Sequence, residues 1–168
     1  MPRRFFNRIS PKYKDIKEAW YLRPFQALIH DPALWATHRK AVVPAVALGI
    51  FVAFMPLPIH PLLAAGGAIL MRVNLPVALV AVWINNPLTI APIYYSGYVL
   101  GSFLLGQSPP DTTDWQVLIV EGLWPMTAGL LCLGSLLALL SYFGLNAFWR
   151  WSMALRLKRR RKKSLIIR

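Results

Sequence analysis

The residues of this chain best suited to chemistry gather at two places where a helix cannot continue. In the first, Met55-Pro56-Leu57-Pro58-Ile59-His60-Pro61, three prolines fall within six residues. Each removes an amide donor and crowds the preceding turn, so regular helix stops there. The second is Asn85-Asn86-Pro87, followed by Thr89 and Pro92. Carboxamides can replace backbone partners that a break leaves unpaired, and they can equally contact a polar ligand or a lipid phosphate. Where such breaks lie at membrane depth they commonly build substrate or ion sites, because helix ends present their dipoles there. The candidate ligand-binding residues are therefore Asn85, Asn86, Thr89, His60 and Arg72, the last being the only basic residue between the two ends of the chain. A plainer reading stands beside each. The breaks can be surface turns satisfied by water, Asn86 can cap a helix opened by Pro87, and Arg72 can snorkel to an interface. Tyr94 and Tyr98, four apart, suit helix packing better than a cavity wall.

Signatures of catalysis are missing from the sequence. It has no nucleophile elbow, no His/Glu metal pair at helical spacing, no Gly-Lys phosphate loop and no carboxylate pair in an apolar stretch. The chain is accordingly expected not to be an enzyme and to need no metal or cofactor. The single Cys132 sits in an apolar run and reads as packing.

The elements that carry these residues follow from composition. Apolar residues make up 57% of the 168 and charged residues 15%, against about 25% charged in a soluble domain. Of 19 Lys and Arg, nine precede residue 41 and nine lie from Arg150 onward. Residues 41–71, 73–110 and 122–149 carry no Asp, Glu, Lys or Arg. Each run exceeds the roughly 20 residues that cross a bilayer. The expected class is an all-α, multi-pass helical membrane protein with broken helices. The domain division is a basic cytoplasmic arm (1–30), a helical membrane domain (31–149) and a basic cytoplasmic tail (150–168). The net charge of +13 flanks the apolar runs without any nucleic-acid motif, so it reads as topogenic charge and no nucleic-acid partner is expected.

Local signals divide the apolar runs further. Asp31-Pro32 is a helix start and predicts a helix over 32–54. Shorter helices are expected over 62–71, 76–84 and 88–105, then a polar turn over 107–115 and a long span over 122–149. Gly97-x-x-x-Gly101 and Ser102-x-x-x-Gly106 put small residues on one face for close helix contact. Both basic ends should be cytoplasmic, and 107–121, with Asp111, Asp114 and Glu121 but no Lys or Arg, should lie outside. The last span returns the chain, so an odd number of crossings must precede it. Either three helices cross, or one net crossing accompanies a re-entrant excursion. The shortness of 62–71 favours the re-entrant form.

The run Pro32-Ala33-Leu34-Trp35, then Gly49-Ile50-Phe51 to Pro56-Leu57-Pro58, Arg72-Val73-Asn74, Trp83 to Asn86-Pro87-Leu88-Thr89, and Tyr98 to Gly101 resembles domain-of-unknown-function family 2062. The resemblance covers roughly residues 30–106. It implies a bacterial inner-membrane protein without an established activity. His60-Pro61 departs from it, since a Gln is expected after the second proline.

The expectation is a small inner-membrane transport or lipid-handling protein for an anionic or phosphate-bearing ligand, with its polar site where the two breaks approach each other. Its expected partners are membrane lipids, with anionic lipids favoured, and a second copy or another membrane protein. The alternative is a scaffold without transport, or an accessory subunit of an envelope-assembly system.

Overall fold

The computed structural model describes residues 31–107 and 115–166, with side chains over 31–107 and 122–155. The expected basic arm, the acidic segment around Asp111 and the side chains of the 156–163 basic run lie outside the described residues.

Five α-helices follow a short 3-10 turn, and no strand occurs among the described residues: α1 (Arg39–Ala53), α2 (His60–Leu70), α3 (Leu75–Val82), α4 (Ile90–Leu105) and α5 (Trp115–Ile166). Asp31-Pro32 does start a helix, with Asp31 Oδ1 accepting the Ala33 amide at 2.9 Å. That helix is only the 3-10 turn Pro32–Trp35. Ala36 and His38 are extended before α1 begins, which splits the helix expected over 32–54. The cause is non-local: Asn74 Nδ2 donates to the Ala36 carbonyl at 2.9 Å and holds it out of a helical turn.

The same asparagine caps α3, its Oδ1 accepting the Val77 amide at 2.9 Å, and its backbone amide donates to the Ala41 carbonyl at 3.1 Å. The start of α3 therefore lies beside the start of α1. Further along, a Cβ on Gly49 would fall 2.5 Å from the Ala78 carbonyl oxygen, so α1 and α3 run parallel and nearly touch. Between their ends α2 runs back, with Gly67 against Leu48 and Ala64, Ala65 and Ala68 fully buried. Small residues at each of these contacts allow three short helices to share one core with Leu34, Val42 and Leu75.

The α2–α3 turn is a Schellman closure. Val73 donates to the Ala68 carbonyl and Arg72 to that of Ile69, which pairs two of the carbonyls a helix end leaves open. Its left-handed position, φ 52°, is Arg72, where glycine would carry no steric penalty. The Arg72 guanidinium meets Asp31 Oδ2 at 2.8 Å, tying this turn to the one that precedes α1.

Asp31 makes that tie pH-dependent. The Ala33 amide, and after it the Arg72 guanidinium, hold its carboxyl below the ordinary value of 3.8. A carboxyl depressed in the folded state contributes stability above its unfolded value and loses it as pH falls through the folded one. Wild type should therefore melt slightly above Asp31→Asn at neutral pH, and the gap should close below pH 3.8. The effect is small because 72% of the Arg72 side chain is exposed. A gap that persists unchanged in acid would refute the ionic origin.

Helix α5 organises the rest. Its residues Tyr142, Asn146 and Arg150 face the first turns of α1, and Gly134 receives Phe54 at the end of α1. Beyond that level Leu130 meets Gly97, and Gly101 meets the Pro125 carbonyl. Helix α4 thus continues along α5 in the direction in which α1 and α3 were heading. The Gly97-x-x-x-Gly101 face performs as expected, whereas Gly106, expected to pack with Ser102, instead ends α4 in the left-handed region, φ 61°.

Candidate functional site

The first break is a set of carbonyls without their helical donors. Pro56 and Pro58 have no N–H, and the Leu57 amide turns to the Met55 carbonyl at 2.8 Å. The Ala53 carbonyl, which Leu57 would serve in a continuing helix, is taken by Asn85 Nδ2 at 2.8 Å. His60 Nε2 donates to the Met55 carbonyl at 2.7 Å, leaving Nδ1 as the ring's acceptor in the neutral form.

The second break is closed by a reciprocal cap. Asn86 Oδ1 accepts the amides of Leu88 and Thr89 at 2.9 and 3.2 Å, while Thr89 Oγ1 accepts the Asn86 amide at 3.0 Å. This is the capping-box arrangement with threonine in the return position. The Thr89 hydroxyl also donates to the Ile84 carbonyl. Thr89 is thus occupied with backbone, and Asn86 largely so, which is the capping role weighed for Asn86.

The two breaks meet. Pro56, Pro58 and His60 from one, with Asn85 and Asn86 from the other and Tyr94 from α4, line a cleft of about 540 Å³. Leu57, Pro87 and Ile90 make the remaining wall apolar. Trp83 and Leu88, which flank the second break in the sequence, are 76% and 86% exposed. Asn85 Oδ1 is buried without a hydrogen-bond partner. Asn85, Asn86 and His60 are therefore brought together, with Thr89 hydrogen-bonded to Asn86 without lining the cleft. Arg72 is not: it lies at the opposite end of α2, paired with Asp31. The cleft lining holds no Lys or Arg to favour the expected anionic ligand. Ile90 and the proline walls were missed as site residues, because nothing in their types distinguishes lining from packing. Tyr94 was weighed as a cavity wall and does line one.

Among the described residues no group of three His, Cys, Asp or Glu could hold a metal. Among the described residues one helix is long and apolar enough to cross a membrane, over Gly122–Leu155.

The family of uncharacterised proteins conserved in bacteria, DUF2062, matches residues 22–158. The chain belongs to this family. The match extends beyond residues 30–106 and takes in the apolar length of α5, so both breaks and the helix that orders them lie within the DUF2062 region. No curated protein matches the chain. No solved structure matches it either.

Proposed function

We propose that this DUF2062 protein is a multi-pass protein of the bacterial inner membrane that handles an amphipathic ligand, a lipid above all, at the cleft between its two breaks. One observation carries this reading: both breaks lie level with the middle of the apolar length of α5. Gly134 opposes Phe54, and at 1.5 Å per residue it stands about 18 Å from Gly122 and about 22 Å from Trp149. Water at a membrane surface would not reach that level, so the partners of the broken backbone must come from protein or ligand.

On this reading α5 crosses once, α3 and α4 together make one interrupted crossing, and α1–α2 is a re-entrant hairpin entering from the cytoplasmic side. Two crossings keep both ends on that side. None of α1 to α4 is long enough to span alone, since α4, the longest with 16 residues, reaches only about 24 Å of a hydrocarbon core of about 30 Å.

Asn85 Oδ1, buried without a partner, and His60 Nδ1 in the neutral ring are acceptors in a largely apolar wall that also carries the Tyr94 hydroxyl. They suit a headgroup carrying N–H or O–H donors, such as an ethanolamine. In liposomes, transbilayer movement of acyl-labelled phosphatidylethanolamine should exceed that of phosphatidylcholine. Asn85→Leu should slow the former about tenfold, the worth of one buried hydrogen bond, while Arg72→Ala leaves it unchanged. Equal rates for wild type and Asn85→Leu at equal incorporation would exclude this site.

A further inference from the structure

A second concavity, of about 350 Å³, lies at the other end of α1. Its walls come from the first turns of α1 and from α5, where Tyr142, Asn146 and Arg150 are spaced four apart and so share one helical face. Arg39 and Lys40 enter from α1. Three cations thus converge on one crevice whose lining contains no carboxylate. They do so at the amide end of a helix, where the backbone dipole is already positive and a cation is disfavoured. The N-cap His38 makes no side-chain cap bond, and the first turn of α1 holds no acidic residue. Over residues 31–107 and 122–155, where side chains are described, the one acidic group, Asp31, is engaged with Arg72. Nothing described offsets this concentration of charge. The crevice has the groups that an anion would use: two guanidiniums for paired hydrogen bonds to oxygens, an ammonium, a phenol and a carboxamide.

We infer that the crevice formed by Arg39, Lys40, Tyr142, Asn146 and Arg150 is a phosphate-binding site, and that its occupant is the headgroup of an anionic phospholipid. Depth selects the lipid. The crevice adjoins Phe148, Trp149 and Trp151, where the apolar length of α5 ends in aromatic residues that suit a headgroup level. It is separate from the mid-level cleft, roughly 20 Å away along α5, and offers cationic donors to an anion in place of the cleft's acceptors. Only the choice of a lipid source rests on the membrane reading; the phosphate site itself does not.

The test is native mass spectrometry of the full chain in detergent with phosphatidylglycerol, phosphatidylcholine or inorganic phosphate added. Wild type should retain phosphatidylglycerol over phosphatidylcholine, and Arg39→Gln/Arg150→Gln should weaken retention at least tenfold. Arg39→Lys/Arg150→Lys should recover most of it, which separates charge from misfolding. Neutralising two tail positions instead, Arg159→Gln/Arg160→Gln, should change little. An equal loss from the tail variant would overturn the crevice in favour of diffuse charge, and so would unchanged retention in Arg39→Gln/Arg150→Gln. Retention of phosphatidylglycerol against a large excess of inorganic phosphate supports a lipid source. Displacement by phosphate overturns the lipid assignment and leaves a site for free phosphate.

Discussion

Gly129→Val should separate α4 from α5 and cost about 3 kcal/mol or more, at the upper end of what overpacking does. A Cβ on Gly129 would stand 1.8 Å from the Gly97 carbonyl oxygen and 2.6 Å from the Gly101 amide nitrogen. Both obstacles are backbone, so no side-chain rotation relieves them. The reciprocal substitution meets the same wall, since a Cβ on Gly101 would lie 1.7 Å from the Pro125 carbonyl oxygen. Helix association in an apolar solvent depends on such close approach, because burial of apolar surface supplies no drive there. Gly144 is the internal control. Nothing lies within 4 Å of its Cβ position, so Gly144→Val should leave stability within about 0.5 kcal/mol. Unfolding by steric trapping in bicelles would compare the two, and equal values would mean that the helices do not meet at Gly129.

Asn74→Ala should cost about 3 kcal/mol in the same assay. Asn74 is 2% exposed and serves two structures at once. Losing its acceptor uncaps α3, worth about 1 kcal/mol. Losing its donor leaves the Ala36 carbonyl without its partner, which costs a further 1–3 kcal/mol, roughly. Asn74→Ser keeps an oxygen for the cap but cannot reach Ala36, and should recover only the smaller part. If serine restored full stability, the link to Ala36 would be irrelevant and the extended backbone after Trp35 would need another cause.

These two residues also mark the limit of what the sequence shows. The breaks, the order of the helices and the Gly97/Gly101 face are local features, and proline, asparagine and glycine announce them by type and spacing. The site was legible to the same extent: two interruptions in apolar runs, bearing His60, Asn85 and Asn86, do meet in one cleft. What was not legible is pairing across distance. Arg72 reads as a free cation until Asp31, 41 residues earlier, is found beside it, and Thr89 reads as a ligand-facing hydroxyl until its bonds to Ile84 and Asn86 are seen. Asn74 has nothing in its neighbourhood that points to Ala36. The level of the breaks was equally hidden, because it depends on where α1 ends against α5, which long-range contacts such as Phe54 on Gly134 fix.

The uneven distribution of helices along α5 has a mechanical consequence. Among the described residues, over the length of α1 four helices stand side by side, α1, α2 and α3 with α5; past the Ala53, Phe54 and Leu130 cluster α4 alone packs on it. The described helices form a wedge, with roughly twice the cross-section at one end, each helix being about 10 Å across. In the proposed orientation its broad end occupies the cytoplasmic leaflet. Every copy then expands that leaflet relative to the opposite one, and copies gathered together would bend the sheet with its cytoplasmic face convex.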